Sequence, residues 1–371
     1  MNWKEELNHN ITTVEELERY KKLPLKDEEK KELQKIIERY PMSIPKNYID
    51  LVDWSRFKED PIAKLCIPAV YESEDSGSFD TSGEGSNTVV IGLQHKYTQT
   101  ALMLSTSTCA MYCRFCFRKR LVGGETEEVT KSWGKIFDYL KEHEEINNVL
   151  VSGGDSFLLE DGQIEYLLEE LTAIDHLDFI RFGTRTPVVF PQRILESDKL
   201  IQLLKKYNKK KQLYIVTHYN HPRELTEESL RSISLLQETG AVIRNQTVLL
   251  KGVNDDPNTI AELFSKLTAN GIMPYYLFQC RPVKGVKDQF QVPFKEGVDI
   301  VDKAKGMLNG LAKSFRFGLS HVTGKIEIIG MADPNKMIFK YIQAKDQKNS
   351  GRIFIREIGE EEAWLPENMP L

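Results

Sequence analysis

"STSTCAMYCRFCFRKR", residues 105–120, holds three of the chain's five cysteines, Cys109, Cys113 and Cys116, within eight positions. Cys66 and Cys280 lie far from them in the sequence. The spacing is C-x3-C-x2-C, with Phe115 before the third cysteine and Arg114, Arg118, Lys119 and Arg120 around it. A structural zinc site pairs its cysteines and takes four protein ligands, so zinc here would have to recruit Cys66 or Cys280. Three unrelated core cysteines would need no metal, yet neither helical nor strand periodicity generates this triplet. A cubane iron–sulfur cluster fits the count better. Three thiolates then ligate three irons, and the fourth iron stays open to an outside ligand, as at catalytic metal sites. The basic neighbours suit an anionic cluster. Arg114 and Arg118 can offset its charge and grip carboxylates through paired hydrogen bonds, while Lys119 and Arg120 read as a solvated face.

Outward from this loop the sequence reads as an α/β protein. Short apolar or β-branched runs recur from residue 90 onward: "TALMLS", "NNVLVSGG", "FIRFGTR", "QLYIVTH", "AVIRNQTVLL" and "IMPYYLFQC". Helix patterns follow them, among them "SWGKIFDYLKEH", "GQIEYLLEEL", "KLIQLLKKY", "EESLRSISLLQETG" and "TIAELFSKLTANG". After the first, longer interval, strands start roughly 30 to 35 residues apart, which suits βαβ units. Six units predict a partial (β/α)6 barrel resembling an incomplete TIM barrel. The expected divisions are an N-terminal helical region and loop over 1–90, the barrel over 91–313, and an extended C-terminal cap over 314–371. Thr13 and Glu16 predict a capping box for "TVEELERYKKL", with a second helix in "KDEEKKELQKIIERY". Residues 72–88, rich in Ser, Gly and acid, predict an exposed loop.

Parallel barrels do their chemistry at the C-terminal ends of the strands. The first strand runs into the cysteine loop, and the second ends in Ser152, Gly153, Gly154 and Asp155. Thr184-Arg185 follows the third, Thr217 to His221 the fourth, Asn245-Gln246 lies on the fifth, and Gln279-Cys280-Arg281 ends the sixth. A glycine pair is usually only a turn and a lone histidine usually structural; their shared rim position argues for a site. The formal net charge is −5 and the pI near 5.9, which gives no support to general nucleic-acid binding. No run approaches the length of a membrane span and no signal-peptide pattern opens the chain, so the expected compartment is the cytoplasm. Clustered thiols there are more often metal ligands than disulfides.

The cysteine motif after the first strand of a partial barrel resembles the radical S-adenosylmethionine superfamily. More closely, "TCAMYCRFCFRKR", "VLVSGGD", "RTPVVFPQRI", "THYNHPRELTEES", "NQTVLLKGVND" and "MPYYLFQC" are similar to the lysine 2,3-aminomutase family, over about residues 10–330. The resemblance implies a 4Fe–4S cluster on Cys109, Cys113 and Cys116 whose open iron binds S-adenosylmethionine, with reductive cleavage to a 5′-deoxyadenosyl radical. It implies that Ser152, Gly153, Gly154, Asp155, His218 and Gln246 lie where relatives hold S-adenosylmethionine, and that Arg118 takes the substrate's α-carboxylate. An electron donor such as flavodoxin or ferredoxin and a small amino-acid substrate are implied as partners. A homo-oligomer is compatible with it; nucleic acid and membrane are not expected.

The family also carries pyridoxal 5′-phosphate on a lysine after a glycine-rich turn, and "SHVTGKIEIIG" makes Lys325 the matching residue. Lysine suits the task because burial can lower its pKa enough for nucleophilic attack. Tyr97 matches a tyrosine near the cofactor ring. Two departures stand out: Val322-Thr323-Gly324 replaces a run of glycines, and Thr100 occupies the place of a phosphate-binding arginine. The C-terminal cysteines with which some relatives hold zinc have no counterpart after Cys280. Arg281 stands where lysine-acting members place an aspartate for the substrate's ε-ammonium, and "FGLSHVTG" lacks their second aspartate. The expected activity is therefore a radical 2,3-aminomutase, an isomerase moving an α-amino group to the β-carbon, with an acidic substrate such as glutamate. The alternatives are a radical enzyme that has dispensed with pyridoxal phosphate and a non-catalytic cluster- or zinc-binding regulator.

Overall fold

The computed structural model describes residues 3–21, 25–124, 126–130 and 132–368. Lys22 and Leu23, at the end of the first predicted helix, lie outside them. The chain divides into two compact units, one of Met1–Val70, Asn87–His218 and Arg223–Arg244, the other of Tyr71–Ser86, Tyr219–Pro222 and Asn245–Leu371.

In the first unit the N-terminal helices form where expected, at Val14–Lys21 and Asp27–Arg39. The capping box is present in both directions: Thr13 N donates to Glu16 Oε2 at 3.1 Å, and Glu16 N to Thr13 Oγ1 at 3.1 Å. Two short strands that the sequence reading missed, β1 (Thr88–Val90) and β2 (Leu93–Tyr97), precede β3 (Thr100–Thr106) in antiparallel pairing. Parallel pairing then joins β3 to β4 (Asn148–Gly153), β4 to β5 (Phe179–Gly183) and β5 to β6 (Gln212–Thr217). Helices Gly134–Glu142, Asp161–Thr172, Asp198–Asn208 and Glu227–Glu238 follow the strands as predicted. Each buries one stripe. Asp198–Asn208 places Leu200, Leu203, Leu204 and Tyr207 inward at helical spacing, and burying a leucine fully contributes about 1.5–3 kcal/mol.

β7 (Val242–Leu249) carries the chain from the first unit into the second, where helix Pro257–Ala269 leads to β8 (Met273–Gln279). Helix Phe294–Met307 then leads to β9 (Arg316–His321), which pairs parallel to β8 with Tyr276 opposite Arg316. From β9 the chain meanders in antiparallel register through β10 (Gly324–Asp333), β11 (Lys336–Ala344) and β12 (Ile353–Glu357). All six predicted barrel strands are therefore present, as β3 to β8, in an α/β architecture of parallel strands and intervening helices. Along β7 fully buried side chains alternate with half-buried ones, as expected of strands with helices on one face and room on the other.

One expectation fails. Residues 72–88 are not an exposed loop: Glu72, Thr81, Ser82, Glu84 and Asn87 are buried. The Asp80 carboxylate accepts from Glu84 N at 2.7 Å and Gly85 N at 3.0 Å, and Ser78 N donates to Pro282 O at 3.0 Å. Small polar residues here satisfy backbone groups at close approach instead of meeting water. Among the described residues no helix is long and apolar enough to cross a membrane.

Candidate active site

The cysteine loop leaves the C-terminal end of β3, the end at which parallel α/β sheets place their ligands. Cys109, Cys113 and Cys116 are free and half-buried. Burial pushes all three thiols up, Cys116 to about 11, and proximity adds to this: Cys116 and Cys113 raise Cys109, and Cys113 raises Cys116. Three desolvated, mutually repelling thiols resist ionisation together unless a cation compensates them, and that cation can be a metal centre. Among the described residues the only trio of His, Cys, Asp or Glu with ligand atoms all within 4.8 Å of one another is His95, His143 and Glu145.

The basic residues divide differently from the sequence reading. Arg114 is 2% exposed, and its guanidinium donates to Pro41 O at 2.9 Å and Tyr40 O at 3.3 Å. Backbone carbonyls of the N-terminal region claim it. Lys119 is not on a solvated face either, being buried with its ammonium 4.4 Å from the centre of the Tyr40 ring. Arg120 forms a paired contact with Glu128, at 2.9 and 2.8 Å. Arg118 turns to the strand ends, its Nη1 donating to Ser152 Oγ at 3.3 Å while its own N–H points at Cys116 Sγ at 3.3 Å.

Ser152 to Asp155 is bound to the segment that enters the cysteine loop. Gly154 N donates to Thr106 O at 2.6 Å and Asp155 N to Thr108 O at 2.8 Å. A Cβ on Gly153 would stand 2.4 Å from Thr106 O, and one on Gly154 2.3 Å from Thr108 O. Glycine is required at both for the two backbones to meet. Asp155 accepts from Thr184 Oγ1 at 2.5 Å, Phe157 N at 3.1 Å and Arg185 N at 2.7 Å, and burial still raises its pKa. His218 sets its ring edge-on to Phe115, centroids 5.4 Å apart. The structure thus gathers Arg118, Ser152, Gly153, Gly154, Asp155 and His218 around the cysteine loop.

Three residues that the sequence reading did not select as site residues complete this cluster. Arg185 Nη1 donates to Cys113 Sγ at 2.7 Å and Nη2 to Glu224 Oε1 at 2.5 Å, and Tyr48 O–H reaches the same oxygen at 2.6 Å. Arg185 was visible as a strand-end residue. Tyr48 and Glu224 carried no signal of their own, being 176 residues apart. Tyr97 is not drawn to this rim. It faces Thr100 at the start of β3, about 20 Å of extended strand from the cysteine end, and Thr100 shares a hydrogen bond with Asn148.

The remaining candidates, Cys66 apart, lie in the second unit. Lys325 is the second residue of β10, with Ser320 opposite it on β9 and Gln343 on β11. Its ammonium lies 4.8 Å from the Tyr276 ring centre and 5.9 Å from that of Phe278, rings stacked at 4.8 Å. A Cβ on Gly324 would meet Gln343 O at 2.3 Å, so the residue before the lysine must be glycine. The departing turn is held by His321 Nδ1 and Tyr341 Oη, each 2.8 Å from Thr323 Oγ1. Arg281 Nη1 donates to Ser82 Oγ at 2.9 Å. Cys280 is buried with its thiol pushed up to about 12, and Cys66 donates to Ile62 O at 3.3 Å within its own helix. Gln246 is half-buried on β7.

Comparison with known proteins agrees with this geometry. The Radical SAM superfamily model matches residues 103–264. A relative from Aquifex aeolicus is 40% identical over 341 residues, 91% of this chain and 90% of its own. The L-lysine 2,3-aminomutase of Methanococcus maripaludis is 38% identical, over 84% of this chain and 72% of its own. The glutamate 2,3-aminomutase of Clostridioides difficile is 36% identical, over 84% and 72%. Such relatives imply a 4Fe–4S cluster, S-adenosylmethionine and pyridoxal 5′-phosphate, a small-molecule substrate and an isomerase reaction. With its cysteine loop at the strand ends and this similarity over most of its length, the chain belongs to the lysine 2,3-aminomutase family of the radical SAM superfamily.

Proposed function

We propose that Cys109, Cys113 and Cys116 ligate the cluster, that Lys325 carries pyridoxal 5′-phosphate, and that the substrate is an amino acid with an acidic side chain. When bound, these groups supply a carbon radical that removes a substrate hydrogen and a conjugated ring that spreads the resulting spin while the amino group moves from C2 to C3. The protein's own part is to hold and orient. Arg118, fixed on Ser152, offers a guanidinium for the α-carboxylate. Ser152, Gly153, Gly154, Asp155, His218 and Gln246 are assigned to S-adenosylmethionine, with Asp155 also fastening the Thr184-Arg185 turn. Tyr276 and Phe278 set two aromatic faces beside Lys325, which fix where its amine stands. A cytoplasmic setting, supported by five free cysteines, and a flavodoxin- or ferredoxin-like donor belong to the same reading.

The substrate assignment rests on the second unit. The cross-strand neighbours of Lys325 are Ser320 and Gln343, and a guanidinium follows β8 at Arg281. An ammonium side chain held about 4 Å from Arg281 would be repelled by about 4 kcal/mol at an effective dielectric near 20; a carboxylate would be attracted as strongly. Assaying lysine, glutamate and other α-amino acids with the reconstituted enzyme tests this. Migration on glutamate, falling at least tenfold in Arg281→Ala, is expected. Efficient migration on lysine, undiminished in Arg281→Ala, would end the substrate assignment.

A further inference from the structure

We propose that Arg185 is a positioning residue for the cluster, which fixes Cys113 through a hydrogen bond to its sulfur and raises the potential at which the cluster accepts its electron. The proposal rests on the cysteine assignment above. Each arm of the guanidinium is engaged: Nη1 with Cys113 Sγ at 2.7 Å, Nε with His218 O at 3.1 Å, and Nη2 with Glu224 Oε1 at 2.5 Å and Tyr48 Oη at 3.2 Å. The same residue's N–H holds Asp155, and its guanidinium lies over the Phe115 ring at 5.2 Å. Its side chain is 8% exposed and that of Glu224 is fully buried.

A buried ion pair is a poor device for stability, because desolving both charges offsets most of their attraction. This one has a directional use, since the carboxylate and phenol hold the guanidinium with one N–H aimed at a ligand sulfur. Reduction adds one electron to an already anionic centre. A donor and a positive charge beside a ligand sulfur favour the reduced form and raise its potential, while a nearby carboxylate lowers it. Arg185 and Glu224 should therefore act with opposite sign. A network that merely holds the fold together has no reason to do so.

The test is a dithionite redox titration, followed by electron paramagnetic resonance, on reconstituted full-length enzyme. Arg185→Met should lower the midpoint potential and Glu224→Gln should raise it, each beyond replicate scatter and at wild-type iron content. Arg185→Lys, which keeps the charge and loses the fork, should fall between wild type and Arg185→Met. If Arg185→Met does not assemble a cluster, Arg185→Lys and Glu224→Gln decide the matter by their opposite shifts. Unchanged potentials, or shifts of the same sign, would overturn the proposal. Cys113→Ala separates the two readings: full iron in that variant would refute the cysteine assignment itself, whereas lost iron with unmoved Arg185 potentials refutes only the tuning role.

Discussion

The cysteine rim of the first unit and the lysine hairpin of the second are built on different principles. Around Cys113 the neighbouring groups are interlocked: Arg185, Glu224, Tyr48 and Asp155 hold one another through hydrogen bonds of 2.5 to 3.2 Å. Beside Lys325 stand the rings of Tyr276 and Phe278, with Ser320 and Gln343 opposite it on β9 and β11. A centre that must always do the same one-electron chemistry benefits from fixed, mutually dependent contacts. A substrate pocket built from a few separable side chains can change its preference one residue at a time, which is the role proposed for Arg281.

The largest effect should come from the rim. Changing any one of Cys109, Cys113 or Cys116 to Ala should remove the cluster and reduce S-adenosylmethionine cleavage to background, while Cys66→Ala and Cys280→Ala retain both. Iron and sulfide analysis with a 5′-deoxyadenosine assay checks this, and iron lost from Cys280→Ala would break the three-ligand assignment. Next comes the backbone beneath the rim. Gly154→Ala puts a Cβ 2.3 Å from Thr108 O, and forcing the strands apart should destabilise the protein by about 1–3 kcal/mol, read as a lowered Tm with impaired cluster assembly. An unchanged Tm would mean that the rim is more pliable than its hydrogen bonds indicate.

The smallest effect lies far from either region, in the N-terminal capping box. Thr13→Ala should cost about 1 kcal/mol in denaturant unfolding and leave cluster assembly intact. Hydrogen bonds, chiefly from Thr12 N, hold the Glu16 carboxyl below its ordinary value. A depressed carboxyl stabilises fully above its unfolded pKa and loses that contribution as pH falls through the lower folded value. The cost of Glu16→Gln should therefore shrink on acidification, and a cost that grew would contradict the sign.

The parts legible in the sequence were those carried by local patterns. The cysteine spacing, the rhythm of strands and helices, and the Thr13–Glu16 box each lie within a short window. Helix Phe294–Met307 was missed because "PFKEGVDIVDKAKGM" mixes charge and glycine into its apolar stripe, although Phe294, Val298, Ile300 and Val301 are buried. The contacts of Arg114 with the carbonyls of Tyr40 and Pro41 were not legible, because backbone carbonyls have no side-chain signature. The Ser- and Gly-rich 72–88 segment was misread because the same small residues serve water and close backbone contact equally well.

Lys325→Ala gives the most direct test of a division of labour between radical generation at the rim and amino migration at the hairpin. Reconstituted wild-type and variant enzymes would be incubated with S-adenosylmethionine, pyridoxal 5′-phosphate, reductant and the amino-acid panel, and both 5′-deoxyadenosine and β-amino acid quantified. The wild type should form both, whereas Lys325→Ala should still cleave S-adenosylmethionine and form no β-amino acid. β-Amino acid produced by Lys325→Ala at the wild-type rate would contradict the assignment outright.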